Sequence, residues 1–369
     1  MKIVHLTTVH PRRDTRIFYR ECISLKNEGY DTYLLVADGL GNEKVEGVQV
    51  IDMGKEKSRI KNFFAGYRKI IDQVKQLQPK LVHLHDPELI VVGRKIQKMG
   101  IPVVFDIHEN IAVQILDKQY IPKFLRSPIS WVYKKIEQRC IKHLHLILAE
   151  HSYEEVYTAR GKSLTIVLNM PDLEHFTPYQ TLERHGNEIF YIGGISNERG
   201  LDVTLSALKL LKQRGVSFFM HYIGPISKEK LAALDLAEIE DAIKFYGRMD
   251  SKKGFEISKA CRVGLSVLKP IKNYVGSYST KIFEYMAIGL PVITSNFPLY
   301  QNVVEKYDCG FCIEPSSKEE LADSIERLLR EGTLGQRMGQ NGIKAVTEQF
   351  NWSNEKEKLS STYSSILKE

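Results

Sequence analysis

No stretch of this sequence approaches the roughly 18 consecutive apolar residues that a membrane-crossing helix needs, so no bilayer span is expected. The opening MKIVHL is too short and too soon interrupted to read as a secretion signal. Cysteine is scarce: Cys22, Cys140, Cys261, Cys309 and Cys312 are an odd number scattered along 369 residues. They show no metal-ligand spacing and fit a reduced, cytoplasmic setting. Cys309 and Cys312 form a C-x-x-C, but no thioredoxin-like strand precedes a helix there, and two small residues on a short strand is the simpler reading. Low-complexity tracts and short repeats are missing. So are D-x-D and H-x-x-x-H spacings, and no metal site is expected. No RNA- or DNA-reading motif occurs either, which argues against a nucleic-acid partner.

What is present describes an ordinary globular protein, with 43% hydrophobic and 26% charged residues. At about 100–200 residues per domain, the length calls for two or more domains. The net charge of +7 is unevenly spread. Residues 1–165 hold 27 basic and 19 acidic side chains, whereas residues 166–369 hold 25 and 26. A basic half suits a nucleic acid, an anionic membrane or an acidic substrate, and charge alone does not choose among them.

Short apolar runs alternate with amphipathic stretches throughout. Strands are expected at Lys2–Leu6, Thr32–Val36, Leu81–Leu84, Val103–Phe105, Leu146–Leu148 and Thr165–Leu168, with a helix from about Thr15 to Asn27. The runs are near-continuous rather than alternating, as in strands covered on both faces. The pattern restarts at Glu188–Ile192 and continues through Phe218–Ile223, Ile243–Tyr246, Val263–Val267 and Val292–Thr294, with helices at Leu201–Gln213, Ser279–Ala287 and Lys318–Arg330. The expected class is therefore α/β, with two doubly wound parallel-sheet domains. The first spans 1–168, a linker 169–187, the second 188–345, and a C-terminal helix lies in 346–369.

In such sheets ligands bind beyond the carboxyl ends of the strands. Those places hold His10-Pro11-Arg12-Arg13-Asp14-Thr15-Arg16, His85-Asp86-Pro87-Glu88, Asp106-Ile107-His108-Glu109 and Glu150-His151. Of these histidines, His10 and His108 read as candidates for direct roles. In the second half, Gly193-Gly194-Ile195-Ser196-Asn197-Glu198-Arg199-Gly200 joins a strand to a helix. Small residues admit a ligand to the backbone, a helix start offers free N–H groups to an anion, and Arg199 adds a fixed charge. Further on, Ser279-Thr280-Lys281-Ile282-Phe283-Glu284 opens an amphipathic helix that ends at Gly289-Leu290-Pro291. Hydroxyls, N–H groups and Lys281 at one helix start make a diphosphate cradle, and Glu284 one turn along can accept both hydroxyls of a ribose.

STKIFEYMAIGLPVI and YIGGISNERGLD resemble the donor-site helix and the glycine-loop entry of nucleotide-sugar glycosyltransferases of GT-B fold, family four. HPRRDTRIFYRECISLKNEGYD, DIHEN and the closing FNWS with its later Tyr resemble the same family, so the resemblance covers nearly the whole chain. It implies two Rossmann-like domains facing a cleft, the first for the acceptor and the second for the nucleotide sugar, with the last helix packing back on the first domain. It also implies that Glu284 binds ribose, that Arg199 and Lys281 meet the diphosphate, that His108 reaches the sugar, and that Arg248 lies near the base. Gly193, Gly194, Ser279 and Thr280 complete the implied nucleotide site, while His10, Asp14, Arg16 and Glu109 join His108 on the acceptor or sugar side.

Two departures stand out: Gly276 replaces a frequent glutamate and Gly194 a frequent arginine, so sugar identity is not inherited. The implied reaction is retaining and metal-free, from a UDP- or GDP-sugar to a glycan or lipid-linked acceptor for cell-surface polysaccharide, with no further cofactor. A GT-B epimerase or a non-catalytic binder of nucleotide sugars are the alternatives. Residues 118–142 hold seven Lys/Arg and one acid beside Tyr120, Phe124, Trp131 and Tyr133. That mixture suits either a peripheral segment on the inner face of the cytoplasmic membrane or a solvated basic helix.

Overall fold

The computed structural model describes residues 1–55, 59–117 and 121–368. The chain divides into two compact units, Met1–Asn169 with Ser353–Glu369, and Met170–Trp352.

In the first unit the strands are β1 (Lys2–Leu6), β2 (Asp31–Val36), β3 (Glu43–Val45), β4 (Val48–Asp52), β5 (Leu81–Leu84), β6 (Val103–Ile107), β7 (His145–Leu148) and β8 (Ser163–Ile166). They form one sheet in the order β3-β4-β2-β1-β5-β6-β7-β8. Every neighbouring pair is parallel except β3 with β4. The central strands β5, β6 and β7 are wholly buried, as their apolar runs require of a sheet covered on both faces.

Three features depart from the sequence expectation. The hairpin β3–β4 was not foreseen, because Glu43-Lys44-Val45 offers no apolar run. Its two-residue turn, Glu46 and Gly47 at φ 49° and 81°, has the doubly positive φ of a turn matched to strand twist. Second, the expected single helix after β1 is split: Thr15–Cys22 is π-wound and only Ile23–Asn27 is α-helical. Third, β8 ends at Ile166 rather than Leu168. The Leu168 N–H leaves the sheet to donate to Glu355 at 2.8 Å, and Arg20 donates to Asn169. Glu355 lies on the helix Trp352–Ile366, which buries Leu359 and Tyr363 completely in this unit.

The second unit carries β9 (Glu188–Ile192), β10 (Phe219–Ile223), β11 (Ile243–Gly247), β12 (Cys261–Ser266), β13 (Val292–Ser295) and β14 (Gly310–Ile313). All are parallel, in the order β11-β10-β9-β12-β13-β14. Cys312 lies on β14, a strand within the C-x-x-C region. Of the stretch 169–187, residues from Met170 onward belong to this unit. There Phe176 and Tyr179 are buried against Phe255, with ring centroids 5.0 and 5.8 Å away.

Candidate functional site

In the second unit the chain leaves β9 through Gly193, whose φ of 133° suits only glycine. Its N–H donates to Ile223 at the end of β10, and Gly224 follows at φ 143°. A Cβ on Gly224 would stand 1.8 Å from the Gly193 carbonyl oxygen. The two loops therefore touch through backbone, and Gly224→Ala is expected to cost about 3 kcal/mol or more by clash and forced φ together. Urea denaturation checks this; an unchanged midpoint would contradict the packing described.

The helix behind the glycine pair does not start at once. A 3₁₀ turn, Asn197–Arg199, and left-handed Gly200 (φ 75°) intervene before Leu201–Gln213. A Cβ on Gly200 would meet the Val267 carbonyl oxygen at 2.7 Å, which explains a glycine there. The turn sends Arg199 back over the loop. Its Nη1 lies 3.7 Å from where a Cβ of Gly194 would be and 3.8 Å from that of Gly193, and Lys281 Nζ lies 3.7 Å from the latter point. Two cations thus converge on one glycine turn. Among the described residues neither has a carboxylate in ion-pair range; the Tyr274 and Tyr191 side chains neighbour Arg199 and favour its charged form, while the Tyr191 hydroxyl donates to the Gly194 carbonyl at 2.6 Å.

Lys281 is buried, with Nζ 5.5 Å from the centre of the Tyr191 ring. Burial, and then the Arg199 charge, push its pKa down to about 8 against the opposing pull of Glu284. Ser279 occupies the N-cap position of the helix Thr280–Ala287, but its hydroxyl bonds to Ser266 Oγ at 2.8 Å and does not cap. The helix start therefore keeps its N–H groups free of side-chain caps, which is the arrangement that favours an anion. Ile282, Phe283 and Met286 face the core while Glu284 is half-buried on the other side. The Tyr285 hydroxyl ties the helix to the sheet, accepting from Ile192 N and donating to Leu265 O, both at 3.2 Å. Arg248 is exposed just past β11, and among the described residues it makes no bond to these groups. Tyr274, Ser266 and Gly224 were missed in the sequence, where only Tyr191, inside YIGG, stood next to a recognisable motif.

In the first unit the ends of β1 and β6 bring His10 and His108 together, with ring centroids 5.5 Å apart. His10 Nδ1 is 2.8 Å from Asp86, and this bond raises its pKa. Asp86 is itself buried and accepts from Thr7, Thr8 and Val9. His108 Nε2 lies 3.0 Å from Asp106. Glu109 is exposed. Asp14 and Arg16, grouped above with the acceptor side, are engaged inside the unit. Asp14 caps the π-wound segment by accepting from Arg16 N and Ile17 N. Arg16 is buried, forks onto Asp106 at 2.9 and 3.1 Å, and donates to the Val167 carbonyl.

The expectation of no metal site rested on spacing along the chain, whereas the fold also gathers imidazole, carboxylate and thiol groups from distant segments. His5, Glu21, His83 and His85 form one such group, His85, Asp106 and His108 a second, and Glu188, His221 and Cys261 a third.

Both units match known families. The family described as glycosyltransferase family 4 matches residues 15–174, and that described as glycosyl transferases group 1 matches residues 179–345. The chain is of the family 4 glycosyltransferase type, with a GT-B fold. This glycosyltransferase-type chain is 24% identical over 206 residues to the capsular polysaccharide biosynthesis glycosyltransferase CapM of Staphylococcus aureus, covering 52% of this chain and 49% of that protein. The chain spans about half the length of the first curated relatives it matches. Among solved structures, sucrose-phosphate synthase of Thermosynechococcus elongatus superposes with a TM-score of 0.77 at 15% identity, over 99% of this chain and 98% of that one. Anabaena HepE, in complex with UDP-glucose, does so at 0.73 and 15%, over 99% and 100%.

Proposed function

We propose that the protein is a retaining glycosyltransferase that moves a hexose from a UDP- or GDP-sugar to a glycan or lipid-linked acceptor in making a cell-surface polysaccharide or glycolipid. The observation that carries this reading is the convergence of Arg199 and Lys281 on the Gly193-Gly194 turn beside a helix start without a side-chain cap. Cleaving the bond between the anomeric carbon and the diphosphate leaves negative charge on the leaving oxygen. Two fixed cations and free N–H groups stabilise that charge without a metal at the donor. Glu284 is assigned to the ribose hydroxyls and Arg248 to the base. The acceptor hydroxyl attacks from the face the diphosphate leaves, and its proton passes to the departing phosphate, so no protein base is assigned. His10 and His108, in the unit assigned to the acceptor, are kept for the transferred sugar.

The pKa of Lys281 gives this reading a pH test. The amine is charged below about 8 and neutral above it, so kcat/KM for the donor is expected to fall as pH rises through about 8. Lys281→Arg should remove that alkaline limb, because a guanidinium stays charged. Nucleotide release measured below KM checks it, and an identical limb in the variant would contradict the assignment.

The acceptor side is argued from the helix Lys123–Ile141. Phe124 (78% exposed), Trp131 (62%), Leu125, Ile129, Val132 and Ile136 stand in solvent, with Lys123, Lys134, Lys135 and Arg139 exposed beside them. Lys118, Gln119 and Tyr120 of the basic segment lie outside the described residues. Among the described residues no helix is long and apolar enough to cross a membrane. An apolar stripe flanked by lysines supports peripheral attachment to an anionic leaflet on the cytoplasmic side, each basic residue adding about 1 kcal/mol. Flotation with phosphatidylglycerol vesicles should show binding that weakens with salt. Lys134→Glu with Lys135→Glu should lower it about tenfold or more. No binding by the wild type at low salt would remove this part of the proposal.

A further inference from the structure

The chemistry above makes no use of a charged group at the heart of the first unit. Because π winding bonds residue i to i+5, it turns both Arg16 and Glu21 inward from Thr15–Cys22. Arg16 spends its fork on Asp106. Glu21 is fully buried, and neither of its carboxylate oxygens has a hydrogen-bond donor, although Arg16 Nε stands 3.1 Å from one of them. A buried carboxylate without donors is costly, so the groups facing it matter.

Three histidines face it. In the parallel pairing of β1 with β5, His5 lies opposite His83, and the two-residue period of a strand puts His85 on the same side as His83. His83 Nδ1 is 3.6 Å from Glu21 Oε2, while His5 Nδ1 and His85 Nε2 are each 3.8 Å from it. His5 Nδ1 and His85 Nε2 are 2.9 Å apart. The contacts to Glu21 are too long for hydrogen bonds. They bracket, with the shorter pair, the edge of about 3.3 Å separating ligand atoms on one tetrahedral ion with bonds of about 2.0–2.1 Å.

We infer that His5, His83, His85 and Glu21 form a closed site for one divalent transition-metal ion of the zinc class. The imidazole and carboxylate donors suit that class. Four protein ligands leave no open position, which makes the ion structural, a bolt joining β1, β5 and the π-wound segment. The outer groups also fit. His85 Nδ1 lies 3.5 Å from Asp106 Oδ2, and His5 Nε2 lies 3.4 Å from the Tyr363 hydroxyl, so two of the three ligand rings have an oxygen near their other nitrogen, while His83 Nε2 is buried without a partner. His83 Nδ1 is 2.6 Å from the same Tyr363 hydroxyl, a bond it gives up on taking the ion.

The test uses full-length, tag-free protein. Metal content by plasma mass spectrometry after exhaustive dialysis should be about one zinc per chain. Chelated protein should melt lower, recover on adding Zn2+, and take up Co2+ with the strong visible absorption of a four-coordinate ion. Glu21→Gln and His5→Gln should each lower zinc affinity at least about 10²-fold, whereas His108→Ala, in the neighbouring His85-Asp106-His108 group, should keep the ion. If the buried variants fail to fold, the chelation and Co2+ measurements on the wild type decide alone. Less than about 0.1 metal per chain with no Co2+ uptake, or metal lost on His108→Ala but kept in the Glu21 and His5 variants, overturns the inference.

Discussion

Arg199→Ala is expected to slow donor cleavage by about 10²–10³-fold while leaving the fold intact, the usual consequence of removing one preorganised charge donor. The guanidinium lies over the glycine turn with no carboxylate in ion-pair range among the described residues, so its charge faces the turn before any ligand arrives. Its loss leaves Lys281 as the lone cation of the pair, and it also relieves the repulsion that helps to hold that amine's pKa down. Nucleotide release from UDP- and GDP-sugars in the presence of water alone is sufficient as an assay, since it needs no identified acceptor. Release at the wild-type rate would show that Arg199 does not meet the leaving group.

The second large effect is on stability. Arg16→Ala is expected to cost about 3–5 kcal/mol, because it strips the partner from a buried carboxylate rather than removing a surface ion pair. Burial alone raises the pKa of Asp106, but the Arg16 charge, with help from His108 and His85, overcomes it and holds that carboxyl well below the usual range. Arg16→Lys should recover only part of the loss, since one ammonium cannot make the two parallel bonds to Asp106 and the third to Val167. Denaturation followed in the first unit checks both variants, and a shift of less than about 1 kcal/mol for Arg16→Ala would contradict the reading of Arg16 as a buried structural tie.

The residues explain what could be read early and what could not. Buried parallel strands such as β5 and β6 are near-continuous apolar runs, broken only by His83 and Asp106, and so they announced themselves. β3 is three residues long, two of them charged, and is defined by a turn rather than by a hydrophobic pattern. The π winding of Thr15–Cys22 leaves the same amphipathic signature as an ordinary helix, so its inward display of Arg16 and Glu21 was invisible. In the second unit the glycine loop and the STKIFEYM helix are each contiguous, which is why Arg199, Lys281 and Glu284 were nameable from sequence. The neighbouring Tyr274 comes from a separate segment and was not, whereas Tyr191 stands beside the loop. The His5, Glu21, His83 and His85 cluster illustrates the limit: spacing rules look along the chain, and only strand register brings His5 beside His83.

The central claim is that the second unit binds the diphosphate and ribose of a nucleotide through Arg199, Lys281 and Glu284. Isothermal titration of the whole protein with UDP and with GDP tests it most directly. The prediction is one site per chain for at least one of the two, weakened at least about tenfold, or 1.4 kcal/mol, by Arg199→Ala and by Glu284→Ala. Binding of neither nucleotide by the wild type, or equal affinity in both variants, would contradict it.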